Sequence, residues 1–432
     1  MLFKQIAYVD ANFCVQKEGY IGTRDGKIAY VGSEMPTEDF GEVYDGRGKL
    51  ALPAFYNNHA HSPMTLLRGY AENLPLQRWL EERVFPFEDA MQDEDAYYGT
   101  MLSIAEMLRG GTASFTDMYF FSEAVLKAVG ESGIKCNFGR AITSFADGDI
   151  RDIQSFKESE ALLKTYQNAF DGRVKLDMSL HAEYTNRRMV MEQFAQIAKE
   201  HGVHVHIHLS ETEKENRECI ERHGVSPTAL FAACGVLDMP TTAAHCVWLT
   251  DEDRAILKKK DVTVATCPAS NLKLGSGICD VQTLLEDGIR VTIGTDGAAS
   301  NNKLDMLREM YLCALLPKGL HHRPEIVSEK EILKMATLNG AVAQGRTDCG
   351  QLSVGAKADL TVLSMESPHM YPQTDLLCNV VYAGSGADVV LTMVDGKVLY
   401  ANGEFTTIDI EKVQFEVQNR AKKIIEKVQA HA

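Results

Sequence analysis

The chain has 432 residues, 45% hydrophobic and 24% charged, a composition and length suited to one large α/β domain with a smaller companion. A formal net charge of −16 argues against a nucleic-acid polymer as partner, because such binders need a basic face. No apolar run reaches the ~18–20 residues that cross a bilayer, and ten cysteines without CxxC pairs read as reduced, mostly core thiols.

The start, "MLFKQIAYVDANF", meets Asp10 too early for a secretory signal, so a cytoplasmic protein is expected. Further on, "YIGTRDGKIAYVG" (20–32) reads as two β-rich runs joined through Asp-Gly, a strong hairpin signal. Eight β-rich runs then alternate with helix-like stretches. They are "KLALPAFYNNHAH" (49–61), "TASFTD" (112–117), "IKCNFGRAI" (134–142) and "VKLDMSLHA" (174–182). "VHVHIHLSE" (203–211), "TTAAHCV" (241–247), "VTVATCPASN" (262–271) and "RVTIGTDG" (290–297) complete the set. Eight such units predict a (β/α)8 barrel over 51–349. A doubly wound sheet is disfavoured by the count and by the lack of a GxGxxG turn after the early strands. Beyond the barrel, "GQLSVGAKADLTVLSM" (350–365) is strand-like, and "LTMVDGKVLYANG" (391–403) is a second Asp-Gly hairpin. Neither chain end can close a core alone, so 1–50 and 350–405 are expected to pair as one small β-sandwich. A helix is expected in the remaining tail, 406–432, over Asp409 to Ala430.

In a barrel of this kind catalytic groups come from the C-terminal ends of the strands. Strand one ends in His59-Ala60-His61, strand four in His181, strand five in His208 followed by Glu211, strand six in His245 and strand eight in Asp296. Residues i and i+2 of a strand point the same way, so His59 and His61 can face one cation. A metal site with an open position needs three or four nitrogen or oxygen donors. His59, His61, one histidine of strand five and Asp296 would supply them. His204, His206 and His208 share a face, but each i,i+2 step climbs ~6.6–6.8 Å. Only His208 reaches the rim; His204 and His206 are expected deeper, filling layers or bonding neighbours.

The elements "PAFYNNHAHSPMTLLRG", "HIHLSET", "AAHCVWL", "CPASNLKLG" and "GTDGAASNN" resemble the amidohydrolase superfamily. Within it they look most like the branch of 5′-methylthioadenosine/S-adenosylhomocysteine deaminases, which also holds related chlorohydrolases and guanine-type deaminases. The resemblance implies one divalent metal per subunit, zinc or alternatively iron, on His59, His61, His208 and Asp296. It matches Glu211 and His245 to the acid/base pair. Relatives with two metals carry a carboxylated lysine at the end of strand four; here that end is His181, and Lys175 stands at the opposite end. The implied chemistry is hydrolysis: a divalent cation makes hydroxide available near neutral pH, Asp296 takes a proton, His245 holds the developing oxyanion and Glu211 protonates the ring nitrogen.

By the same resemblance Glu88 would bind ribose hydroxyls, His181 would face the purine and Arg140 the distal, amino-acid-like end of the substrate. Trp79 would line the lid, and Arg151 is the nearest candidate for a second tail-binding arginine. The sequence departs from its relatives at "LHAEYTN", where His-Ala-Pro-Tyr-Thr is common, so Glu183 adds a carboxylate near the mouth. Ala54 stands where glycine is usual. "HAE" at 181–183 lacks the following P-C-x-x-C of cytidine-deaminase-type enzymes and is set aside. The expected function is metal-dependent deamination of an adenine nucleoside or thionucleoside, with a small molecule as partner and a homo-oligomer compatible with the sequence. The alternatives are the same machinery on guanine, a pterin or an s-triazine, and an inactive scaffold, which would require gaps among the ligands.

Overall fold

The computed structural model describes residues 1–431. At the amino terminus lie strands β1 (Leu2–Val9), β2 (Val15–Arg24), β3 (Lys27–Gly32), β4 (Val43–Asp45) and β5 (Lys49–Pro53). The middle of the chain gives β6 (Phe55–Ala60), β7 (Thr112–Met118), β8 (Lys135–Gly139), β9 (Ala141–Ile142), β10 (Val174–Leu176) and β11 (Met178–Leu180). It continues with β12 (Val205–Leu209), β13 (Thr241–His245), β14 (Thr263–Thr266) and β15 (Val291–Ile293), with helices between successive units. The carboxy-terminal part supplies β16 (Leu360–Ser364), β17 (Val389–Val394), β18 (Lys397–Ala401) and β19 (Glu404–Phe405).

The two chain ends meet in one nine-stranded sheet, ordered β19-β18-β17-β16-β5-β1-β2-β3 with β4 beside β1. Both Asp-Gly hairpins form. Asp25 and Gly26 have φ of 51° and 74°, and Asp395 and Gly396 have 46° and 74°, the positive pair that a tight twisted hairpin requires. The side chains of Phe3, Ile6, Ile21, Ile28, Leu360 and Val362 form a separate apolar core for this sheet.

The parallel strands divide into two hydrogen-bonded sheets, β10-β8-β7-β6 and β15-β14-β13-β12-β11-β9. Only one residue, Arg140, separates β8 from β9, and only Asp177 separates β10 from β11, so the same two chain segments run through both sheets. The free edges β6 and β15 are bridged mainly by side chains. Asn57 Nδ2 donates to Thr295 Oγ1 (2.7 Å), Asn58 Nδ2 to Thr292 Oγ1 (2.8 Å), and the Asp296 amide to the His59 carbonyl (2.8 Å). All residues of β6, β7, β12 and β13 are buried, as parallel strands covered on both faces must be.

Besides the runs split at Arg140 and Asp177, two more of the expected runs are broken or cut short for visible reasons. The run 49–61 is two strands, because at Ala54 the chain passes from one sheet to the other: the Ala54 amide donates to Asp359 O and the Phe55 amide to Gly111 O. The run 262–271 stops at Thr266, because Pro268 opens the helix Pro268–Lys273. The tail forms the helix Ile410–His431. Its Val413, Val417 and Ile424 are buried, and its Arg420 reaches Asp95 at 2.9 Å and Glu94 at 2.8 Å on the helix Asp93–Arg109. Among the described residues no helix is long and apolar enough to cross a membrane.

Candidate active site

The ends of β6, β12, β13 and β15 converge. His61 Nε2 lies 3.3 Å from Asp296 Oδ1 and 3.3 Å from His208 Nε2, while His59 Nε2 lies 3.6 Å from Asp296 Oδ1. Two overlapping sets, His59–His208–His245 and His59–His61–Asp296, each hold their ligand atoms within 4.8 Å of one another. The far nitrogen of each ring is tied to a partner. His61 Nδ1 donates to Met118 O (2.5 Å), His208 Nδ1 to His181 O (2.7 Å), and His59 Nδ1 faces His206 Nε2 (2.9 Å). A proton held on Nδ1 leaves the Nε2 lone pair aimed inward, the arrangement that prepares an imidazole for a cation. His59 Nε2 is buried with no hydrogen-bond partner, a costly state unless another group occupies the centre. The residues therefore fit a divalent metal.

Burial, followed by the neighbouring rings, holds the His59 and His208 imidazoles well below their usual pKa, so both rings are neutral donors. Burial works against the Asp296 charge, yet His61, His245 and the Ser270 and Ser300 hydroxyls hold its carboxyl below the usual value. Ser270 Oγ donates to Asp296 Oδ2 at 2.5 Å and Ser300 Oγ at 2.8 Å; the Gly297 amide caps Oδ1 at 2.7 Å. Beside this cluster, His245 Nε2 lies 4.0 Å from Glu211 Oε2. Burial opposes protonation of His245, but the Glu211 and Asp296 carboxylates and the Asn271 contact raise its pKa overall. Burial raises the Glu211 carboxyl.

The strand ends are backbone-strained where the site forms. Ser210, His245 and Asp296 have φ of 50°, 73° and 60°. Such left-handed non-glycine residues cost about 1–3 kcal/mol each and persist only where surrounding bonds hold them. Those bonds are present: the Ser210 and Glu211 amides both donate to the Glu215 carboxylate (2.8 Å each), and the Asp296 amide to His59 O.

The site opens into a cavity of ≈ 530 Å³. His61, His208, Glu211, His245 and Asp296 form its floor, and Trp79, Glu88, Arg140 and His181 also line it. Glu88 is buried and accepts from Tyr119 OH at 2.6 Å. Trp79 is both core and wall: it is 5% exposed, and its Nε1 donates to Ala71 O. His181 is neutral, its pKa lowered by burial and then by His61 to about 4.

Two expectations are corrected. Arg151 does not reach the cavity: Asp149 accepts from its amide at the turn Ile150–Asp152, and the side chain is 65% exposed beside Asp149. Glu183 does not face the mouth, because Arg222 of the helix Glu213–His223 holds it at 2.5 Å and its side chain is fully buried. His206 is buried against His59, and the Lys175 ammonium caps Gly345 O away from the site. The sequence reading assigns no role to Glu215, Asn271, Ser270 or Ser300, which hold the chemistry-bearing groups in place. Only Glu215, four residues past Glu211, and Ser300, four past Asp296, carry a local signal; Asn271 and Ser270 lie 26 positions from His245 and Asp296.

A model of the amidohydrolase family matches residues 50–399. The 5-methylthioadenosine/S-adenosylhomocysteine deaminase of Acetivibrio thermocellus is 41% identical over 416 residues, covering 95% of this chain and 96% of that protein. The 5'-deoxyadenosine deaminase of Methanosarcina acetivorans is 39% identical, covering 96% and 95%. Among solved structures, an adenosine deaminase from Xanthomonas campestris with bound zinc matches with a TM-score of 0.92 over 98% of both chains at 29% identity. The chain belongs to the amidohydrolase family.

Proposed function

We propose that this protein is a metal-dependent hydrolytic deaminase that removes the exocyclic amine of an adenine nucleoside or thionucleoside as ammonia. One observation carries the reading: His59, His61, His208 and Asp296 converge at the floor of a cavity that also presents Glu211, His245 and the buried carboxyl Glu88. The deaminase relatives support it, and so does the cavity, whose size suits a nucleoside.

His59, His61, His208 and Asp296 would hold one divalent ion, zinc or alternatively iron. Bound there, such an ion supplies activated water near neutral pH. Asp296 accepts the proton of the attacking water while the Ser270 and Ser300 hydroxyls keep its carboxylate oriented. His245, fixed through Nδ1 by Asn271 Oδ1 at 2.9 Å, directs Nε2 toward the charge that develops at the attacked carbon. Glu211 delivers a proton to the adjacent ring nitrogen, and its raised pKa suits a donor; the proton taken by Asp296 then passes to the departing amine, which leaves as ammonia. Neutral His181 packs on the purine, and Glu88 receives the ribose hydroxyls.

The same reading takes the parallel strands as a closed (β/α)8 barrel over 51–349, with the Asn57–Thr295 and His59–Asp296 bonds as its seam. It takes 1–50 with 350–405 as a β-sandwich formed by the nine-stranded sheet around its own core, and 406–432 as a helical appendage. A reducing, cytoplasmic setting accords with ten free cysteines, and a homo-oligomer remains part of the reading.

The test is ammonia release by zinc-loaded protein from methylthioadenosine, S-adenosylhomocysteine, adenosine, guanine, cytosine and a triazine, with Asp296→Asn as control. Turnover confined to adenine nucleosides and lost in the control supports the reading. Turnover of guanine or the triazine in preference to every nucleoside would overturn it.

A further inference from the structure

The nucleosides for which the relatives are named differ in their 5′ substituent, and the outer part of the cavity bears on that difference. We propose that this site selects an uncharged, apolar 5′ substituent and discriminates against an amino-acid-like tail. The inference rests on the nucleoside-deaminase reading and names the substrate class within it.

Three observations support it. Among the described residues lining the cavity, Arg140 is the single lysine or arginine, and the acidic side chains Glu88, Asp89, Glu211 and Asp296 share that lining. The charge of Arg140 is already matched. Its Nε donates to Glu158 Oε2 at 2.7 Å and its Nη1 to the Ala141 carbonyl at 2.8 Å. Glu158 is itself fixed on the helix Gln154–Tyr166 by Gln154 Nε2 at 3.0 Å, and it stands behind Arg140 rather than in the cavity wall. A substrate carboxylate approaching Arg140 would meet a guanidinium that has a partner, and would surrender its own hydration for little return.

The third observation is apolar. Phe85 and Phe145 line the outer cavity although 47% and 71% of their surfaces are exposed, and Leu80 and Phe120 extend the same wall. Exposed aromatic rings in a concave site gain most from a ligand that covers them with hydrocarbon or a thioether. A methylthio or methyl group at the 5′ carbon is short enough to lie on this wall. A homocysteine tail must carry its ammonium and carboxylate past it.

The experiment compares kcat/KM of the zinc-loaded enzyme for methylthioadenosine and S-adenosylhomocysteine, in the wild type, Glu158→Gln and Phe145→Ala. Calorimetric binding of the two deaminated products, methylthioinosine and S-inosylhomocysteine, gives a readout independent of turnover. The wild type should favour the methylthio compound by about tenfold or more, a difference of about 1.4 kcal/mol. Glu158→Gln frees Arg140 and should narrow that ratio several-fold in both readouts. Phe145→Ala, a change at an exposed residue, should raise KM for methylthioadenosine more than for adenosine. Equal kcat/KM for the two nucleosides in the wild type, or a ratio untouched by both variants, overturns the proposal while leaving the deaminase reading intact. Absence of ammonia from every adenine nucleoside overturns both.

Discussion

His206 Nε2 lies 2.9 Å from His59 Nδ1, and the other nitrogen of His59 has no partner and lies 3.6 Å from Asp296 Oδ1. The two rings are stacked, with centroids 5.1 Å apart and planes 10° from parallel. The second imidazole thus holds the first one's direction, and as the acceptor it keeps the His59 proton on Nδ1. Loss of such a supporting contact typically costs about 10–100-fold in metal affinity. His206→Ala should therefore weaken zinc retention against a competing chelator by about that factor. His204→Ala, one step further from the rim, should change it little. Equal effects of the two substitutions would refute the special place given to His206.

Asn271 plays the corresponding part for His245, accepting from Nδ1 at 2.9 Å. Asn271→Ala leaves the ring free to rotate and removes one cause of its raised pKa. We expect kcat to fall about tenfold or more with KM little changed, because the contact acts on the group that meets developing charge. Steady-state kinetics decide it; a rise in KM at constant kcat would show that His245 serves ground-state binding instead.

Glu215 accepts the amides of both Ser210 and Glu211, so it sets the backbone that carries the proposed proton donor. Glu215→Ala should lower kcat by about tenfold or more and also lower the thermal midpoint, since two buried amides lose their acceptor. Glu215→Gln keeps one acceptor oxygen and should recover part of both losses. If the glutamine variant is no better than alanine in either measurement, the positioning role fails.

Glu88 gives a pH dependence with a definite sign. Burial pushes its carboxyl from an ordinary value of 4.5 up to about 8, against the opposing bond from Tyr119. Between those values the folded state keeps a proton that the unfolded chain has released, so stability is greatest below the lower value and declines as pH rises through the window. The midpoint should therefore fall from about pH 5 to about pH 8, and Glu88→Gln should flatten the fall by a few degrees. A midpoint that rises across this range, with no difference between variant and wild type, would contradict the assignment. In activity, Glu88→Ala should harm nucleosides far more than free bases, because only the former present hydroxyls to that carboxyl.

Much of the fold is legible because local chemistry dictates it. Asp25-Gly26 and Asp395-Gly396 adopt the positive φ angles their turns need, and the parallel strands fall on the β-rich runs although their buried residues include Thr, Ser, Asp and His. The i,i+2 spacing of His59 and His61 puts both on one face whatever the rest of the chain does. The breaks are not legible. Ala54 is a hand-over point only because Asp359 O and Gly111 O, far away in the chain, accept the amides on either side of it. Glu183 is drawn away from the mouth by Arg222, 39 positions on, which no local pattern announces, whereas Arg151 sits outward in a turn that Asp149, two residues earlier, caps. The supporting residues Asn271 and Ser270 lie 26 positions from the groups they hold, so their roles depend on packing.

The most direct test is a zinc titration of chelator-stripped protein, following ammonia release from methylthioadenosine and adenosine. Activity should be absent at the start, rise in proportion to added zinc and level off at one equivalent per chain, with Asp296→Asn silent throughout. Full activity in the stripped protein, or a plateau reached only at two equivalents, would contradict a single ion held by His59, His61, His208 and Asp296.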